Sequence, residues 1–486
     1  MIDSFEISSS YQSIKADRDN IQEEYYQESN NSNDSLILRQ LPIHLIEFRN
    51  EVTRMKNPQN TNKDEKFNPH ALNSSLKSIE TTLDEIQFFP YQKFVAFNIL
   101  ENLFEIVNLN QRDEDIFRAL YIIGHYYCHD LKGSQLIKSS PFVNLFLEWM
   151  GIEKCAPFLP PILDGIAGLL KFDNSEEENS LTRFLLLNHF DEQIINIYEK
   201  STENVIFIAM IIKNLMKNKD QEFLYSTQKF LPMLNTFITS KVYQLTRLSI
   251  QSARHLIYNF PATLDQLKEN GFFGNLINLL LCQNPSFGEL KSAYHFLGVC
   301  CQRNSELAKM VLTNELMNLA CPILVQNGSN VREVKNILYD IESIMLADKS
   351  LIYPIIDSNM LSYLFKNAHE GSFFISIQCT AILCDIINSN NIEAIQKIID
   401  ENFLDLLQQI LSLTEDPRIL SLGLDTIITL FEVGQTDNND IIQKLREQEW
   451  LPDSINDILC DTDIKDDILY QAKHVNECII RNVFQE

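Results

Sequence analysis

Ala253-Arg254-His255-Leu256-Ile257-Tyr258-Asn259-Phe260 sets apolar residues at its first, fourth, fifth and eighth positions, the spacing of one face of an α-helix. Val334, Ile337, Leu338 and Ile341 repeat the pattern, as do Cys379, Ile382, Leu383 and Ile386. With some imperfect matches the same template begins at Ala119, Ile162, Ile208, Ala253, Ala293, Val334, Cys379, Gly423 and Ala472. Successive starts lie 43, 46, 45, 40, 41, 45, 44 and 49 residues apart.

A second marker falls between these helices at a matching period. It is a polar turn followed by bulky apolar residues: Asn270-Gly271-Phe272-Phe273, Asn314-Glu315-Leu316-Met317, Asn359-Met360-Leu361, Asn402-Phe403-Leu404 and Glu449-Trp450-Leu451. Looser copies stand at Pro141-Phe142-Val143, Asn188-His189-Phe190 and Lys229-Phe230-Leu231. Each unit therefore reads as a short first helix, a second helix and a longer third helix in roughly 40–47 residues, the armadillo/HEAT period. One such unit cannot bury its own apolar face, so neighbours must stack. The expected fold class is all-α: an armadillo/HEAT-type right-handed superhelical solenoid of about nine three-helix repeats.

The division expected along the chain is 1–36 as a disordered acidic segment, 37–70 as an amphipathic helix with a polar linker, and 71–486 as the solenoid. Residues 1–36 hold eight acidic residues against only Lys15 and Arg18. Such a segment buries too little apolar surface to offset its ordering entropy. Pro42 to Met55 reads as a helix with Pro42 in the first turn, where proline is tolerated, and with Ile43, Leu45, Ile46 and Val52 as its apolar positions. Pro58 to Pro69 reads as a loop or linker.

Composition narrows the function. Thirteen glycines in 486 residues count against phosphate-cradling loops and many tight hairpins. The net charge of −26 repels phosphate backbones, so no nucleic-acid binding is expected, and it favours basic partners, set against the simpler account of a solvated acidic surface serving solubility. The ten cysteines show no C-x-x-C pair or zinc spacing, which suits reduced core thiols of a cytoplasmic or nuclear protein. No apolar run approaches the ~18 residues of a membrane span, and Met1 to Gln12 lacks the pattern of a signal peptide. No phosphate-loop, nucleophile-elbow, H-E-x-x-H or dinucleotide fingerprint is present, so the reading is not an enzyme and needs no cofactor.

The third-helix template resembles that of the importin-α family of nuclear transport adaptors, whose third helices follow an Ala-x-Trp-x-Leu-x-Asn-like pattern. Ala253 to Phe260 fits it, with His255 in place of Trp. Gly423 to Phe431 with Glu432-Val433-Gly434, and Gln471 to Ile480, are similar to the closing repeats of that family. The likeness covers about 110–486 as repeat grammar. It implies a groove in which Trp rings hold lysine stems and Asn amides bond the backbone of an extended cargo peptide. In this chain the Trp/Asn positions read Tyr121/His125, Asp164/Gly168, Met210/Asn214, His255/Asn259, His295/Val299, Asn336/Asp340, Ala381/Asp385, Asp425/Thr429 and His474/Cys478. No Trp fills a slot, and Asn keeps its place only at 214 and 259. Trp149 and Trp450 fall in second-helix regions. The family begins with a basic segment that binds importin-β, and residues 1–36 carry the opposite charge.

The candidate peptide-binding residues are Met210, Asn214, His255, Asn259, His295 and Asn336, each weighed against an ordinary solvated helix face. His125, Cys128 and His129 share one helix at a spacing that converges on a metal, set against the simpler account of residues filling a repeat interface beside Tyr126 and Tyr127. Asp461, Asp463, Asp466 and Asp467 fail the EF-hand pattern, with Asp466 where Gly is needed and Ala472 where Glu is needed. Ser175 to Ser180 reads as a solvated acidic loop. The resulting expectation is a monomeric protein-binding adaptor of importin-α type, taking cargo that includes basic peptide segments. The alternative is an armadillo scaffold unrelated to nuclear transport.

Overall fold

The computed structural model describes residues 32–56, 66–86, 89–109, 112–173, 180–282, 285–302, 304–400, 402–413, 416–436, 439–461 and 464–482. The disorder expected of the N-terminus lies, for residues 1–31, outside the described residues, as do most of the acidic loop at 174–179 and the aspartate turn at 462–463. Among the described residues the secondary structure is helical throughout, with no strand, and the fold class is all-α of armadillo type. The chain divides into two compact units, Met1–Phe230 and Leu231–Glu486.

In the first unit α1 (Ser32–Lys56) packs along α2 (Pro69–Asp84), and α2 packs on α3 (Asp113–Tyr121). A π-helical turn, Ile122–Tyr127, continues α3 and packs on α4 (Leu159–Lys171), which packs on α5 (Val205–Leu215). In the second unit α6 (Tyr243–Asn259), α7 (Phe287–Cys301), α8 (Val331–Met345), α9 (Phe373–Asn388), α10 (Pro417–Thr436) and α11 (Asp466–Asn482) each pack on the next. All nine template starts fall in this row of long helices and are buried. Val334, Ile337, Leu338 and Ile341 are fully buried, which is the i, i+3, i+4, i+7 stripe meeting its neighbours. At roughly 1.5–3 kcal/mol for each buried Leu or Ile, these stripes are the main favourable term.

The second marker has a conformational cause. His189, Gly271 and Asn402 have φ of 55°, 75° and 61°, left-handed values that reverse the chain between the first and second helices. Glycine at 271 takes that value without a Cβ penalty. The apolar residues that follow, Phe190, Phe272 and Phe403, are fully buried. A further face is tied by ion pairs between neighbouring repeats: Lys138 with Asp173 at 2.8 Å, Lys309 with Asp348 at 3.0 Å, Lys397 with Asp357 at 3.3 Å and Lys444 with Asp400 at 2.6 Å. Most of these pairs are solvent-exposed and screened, so they add little to stability, whereas the Asp173 side chain is only 5 % exposed beneath Lys138.

The N-terminal helix differs from expectation. It begins at Ser32, so Pro42 lies inside it and not in its first turn, and Ile43 and Ile46 are exposed. Leu41, Leu45, Phe48 and Val52 form the buried row instead. The helix packs along α2 and buries Leu41 and Leu45 beside the proline, which helps it continue through a residue lacking an amide hydrogen. Asn68 caps α2, its side chain accepting from His70 and Ala71, and its own amide donates to the buried Glu51 of α1 at 3.1 Å. Segment 37–56 thus belongs to the first unit's stack.

Third helices approach closely at glycine. A Cβ on Gly124 would overlap the carbonyl oxygen of Pro161, whereas a Cβ on Gly274 meets nothing within 4 Å. Gly124→Ala is expected to lower stability by about 1–3 kcal/mol through backbone overlap. Gly274→Ala, inside the helix Phe272–Cys282, should raise it by roughly 0.5–1 kcal/mol. Urea denaturation followed by circular dichroism distinguishes the two, and a neutral Gly124→Ala contradicts the packing described.

Candidate functional site

The six candidate residues lie on third helices in varied surroundings. Met210 is half-buried on α5, but Asn214 is only 4 % exposed, and its amide nitrogen donates to the Ala167 carbonyl of α4 at 2.9 Å. That bond joins two repeats and leaves the side-chain oxygen buried without a partner. His255 and Asn259 are half-buried on α6. His295 on α7 is half-buried, with Nδ1 3.3 Å from the buried Asp340 of α8, and Asn336 on α8 is exposed. Trp149 and Trp450 stand in second helices, and Trp149 packs on Phe158.

In the first unit the structure gathers a cluster that single positions do not reveal. The π turn, in which the Cys128 amide donates to the Ile123 carbonyl at 3.0 Å, adds a residue to the helix and changes its period. His125, Cys128 and His129 consequently do not converge. Cys128 is fully buried, and burial drives its thiol well above the ordinary range. Both histidines instead reach Asp164 of α4: His125 Nδ1 lies 2.8 Å from Oδ2, and His129 Nε2 lies 2.9 Å from Oδ1. No cluster of three or more metal-ligating side chains occurs among the described residues.

Electrostatics follow from that geometry. The bond to Asp164 raises the His125 pKa, and burial opposes it only in part. Burial pushes the Asp164 carboxyl up, but the two histidine bonds outweigh it and hold the group below its usual value. Tyr121 stacks on His125 with ring centres 5.1 Å apart, and Tyr126 meets His125 edge-on at 5.0 Å while its hydroxyl donates to Asp84. Three rings thus stand between two carboxylates on the third-helix face, with His125 46 % exposed.

The second unit carries a different cluster. Glu342 of α8 is buried, accepts a bond from Gln378 Nε2 at 2.6 Å, and shares a hydrogen bond with Asp385 of α9. Burial first, then repulsion from Glu342, raises Asp385 to about 8, so one proton serves two carboxyls. Arg418 of α10 and Lys335 of α8 supply the positive field around the pair.

Sequence reading named Asp164 and Asp385 only as register positions and Tyr126 only as interface filling, and it did not single out Asp84, Glu342 or Gln378, because each bonds to a residue one repeat away. The available signal was separation: His125 to Asp164 spans 39 residues, His295 to Asp340 spans 45, and Gln378 to Glu342 spans 36. Polar residues one period apart on third helices are candidates for mutual bonds.

No family model matches the chain, and no curated protein matches it. Solved structures do match. A crystal structure of an engineered protein is 14 % identical over 88 % of this chain and 98 % of its own, with a TM-score of 0.66. A structure reported for the interaction between cadherin and β-catenin is 13 % identical over 93 % of this chain and 86 % of its own, with a TM-score of 0.61. Computationally designed armadillo repeat proteins for modular peptide recognition are 22 % identical over 51 % of this chain and 99 % of their own, with a TM-score of 0.42. At these identities the likeness concerns the fold.

The acid pair generates a pH prediction. Asp385 binds its proton more tightly folded than unfolded, so its contribution is present below the ordinary aspartate range and is lost as pH rises toward about 8. Asp385→Asn keeps a hydrogen-bond donor toward Glu342 without the charge. Denaturation titrations from about pH 5 to pH 9 should show a falling stability in the parent protein and a flatter profile in the variant. Parallel profiles would sink the shared-proton assignment.

Proposed function

We propose that this protein is an adaptor of importin-α type that holds an extended segment of a partner protein against its third-helix faces, with nuclear protein import as the setting the repeat resemblance points to. The observation carrying the binding reading is the Tyr121–His125–Tyr126 cluster between Asp84 and Asp164. Stacked aromatic rings offer faces to the aliphatic stem and charged head of a lysine or arginine, and the flanking carboxylates balance its charge. Protonated His125 and an incoming ammonium would compete for Asp164, so binding strengthens as His125 loses its proton. Met210, His255, Asn259, His295 and Asn336 are proposed to line the same type of face, and Asn214 to act by joining α4 and α5.

The second reading, a scaffold outside nuclear transport, is favoured by two observations: no Trp occupies the third-helix slots, and the Asn214 amide is engaged by the Ala167 carbonyl. Affinity purification separates the two, with nucleoporins or transport receptors supporting the first and cytoskeletal or signalling proteins the second. Neither reading assigns catalysis.

Titration of the full chain with a fluorescent lysine-rich peptide tests the face directly. Binding is expected at low salt, weakening as ionic strength rises. Tyr121→Ala combined with Asp84→Asn should reduce affinity roughly three- to tenfold, the worth of one cation–aromatic contact and one exposed charge. Affinity should also rise with pH through the histidine range. No binding at low salt, or affinity indifferent to the double variant, removes this cluster as the site.

A further inference from the structure

Phe373 and Phe374 open α9, and they are 55 % and 57 % exposed. Their rings meet edge-on at 5.7 Å, so they already form one apolar surface. Phe373 also borders a recess lined by Ile377, Thr380, Leu406 and Ile410. Two cations complete the patch. Lys335 of α8 lies 5.5 Å over the Phe374 ring, and Arg418 of α10 lies 5.5 Å over the Tyr339 ring of α8. Phe374 and Arg418 occupy equivalent third-helix positions, each five residues before its template start. The patch thus spans three successive repeats on the third-helix face.

The charges here run against the protein's average. Several lysines elsewhere are paired with aspartates of a neighbouring repeat, such as Lys309 with Asp348 and Lys397 with Asp357. Among the described residues neither Lys335 nor Arg418 forms an ion pair. The acids whose field they share, Glu342 and Asp385, form the pair that holds one proton between them. Both cations therefore stand beside exposed aromatic surface and in the field of this buried pair, with Asp416 accepting the Arg418 backbone amide at 2.9 Å. Contact with the rings holds each cation in place, so a carboxylate can bind it with little further ordering.

We propose that Lys335, Tyr339, Phe373, Phe374 and Arg418 dock a short acidic segment of a partner protein that also carries a bulky apolar side chain. Carboxylates of the segment bind Lys335 and Arg418, and its apolar side chain covers Phe373 and enters the adjoining recess. A nucleic acid is the poorer occupant, because the net charge of −26 opposes a continuous polyphosphate while two local cations suffice for two carboxylates. The assignment rests on the reading that third-helix faces hold partner chains, and it names a second subsite of opposite charge preference.

The full chain is titrated with a fluorescent peptide of repeating Glu-Asp-Phe, its uncharged Gln-Asn-Phe counterpart, a lysine-rich peptide and oligo(dT). The acidic peptide should bind roughly fivefold to tenfold tighter than the uncharged one, the worth of two exposed charge contacts. Lys335→Gln with Arg418→Gln should erase that margin. Phe373→Ser with Phe374→Ser should weaken both Phe-containing peptides, with circular dichroism showing each double variant still folded at the titration temperature. Equal binding of acidic and uncharged peptides, indifference to the variants, or equally tight binding of oligo(dT) overturns the proposal. The lysine-rich peptide separates two failures: if it binds while the acidic peptide does not, only this subsite falls, and if neither binds, the third-helix-face reading falls with it.

Discussion

Every other feature depends on the burial of one third helix against the next. An isolated repeat presents Val334, Ile337, Leu338 and Ile341, or their equivalents, to water, and only stacked neighbours remove that surface. The requirement fixes the apolar stripe and keeps the template start small or apolar at every repeat. It also brings backbones so close that glycine is needed at 124. First and second helices follow from it, since they return the chain to the start of the next third helix. The left-handed residues at 189, 271 and 402 make that return short.

This explains how much could be read in advance. A stripe repeated at a period is written into consecutive residues, so the nine third helices and the phenylalanines opening second helices at 190, 272 and 403 were legible. The N-terminal helix was less so. Its buried row runs through Leu41, Leu45, Phe48 and Val52, yet Ile43 and Ile46 offer a competing apolar face, and Pro42 suggests a start where none occurs. Choosing between those rows required its partner, α2. The site was legible as a list of positions and not as chemistry. His125 and Asp164 are a hydrogen-bonded pair only because a π turn and one repeat of stacking bring them together.

The same burial alters the polar residues it encloses. Asn214, Asp340, Glu342 and Asp385 stand where third helices meet, and a polar group there must find a partner across the interface or keep its proton. Asn214 finds the Ala167 carbonyl, Asp340 faces His295, and Glu342 and Asp385 share one proton. Positions that the importin-α-like register would assign to peptide contact, Asn214, Asp340 and Asp385, are thus internal ties here. What remains available to a partner is the set of side chains that reach past the interface, which are mainly aromatic rings with charges beside them.

Net charge is consequently a poor guide to what these faces attract. The value of −26 counts every carboxyl as one full charge at the surface, including Asp385, which holds a proton, and Asp164, which is engaged by two histidines. Removing such groups from the visible charge leaves the two units with unlike local character. Tyr121 and Tyr126 stand among carboxylates that can receive a cation, while Phe374 and Tyr339 stand beneath cations that can receive a carboxylate. An average over the chain conceals this contrast, because the distribution of exposed charge is decided by which acids the stacking buries. On the proposed adaptor reading, a partner is therefore selected repeat by repeat, through the few charges the helix interfaces leave uncompensated.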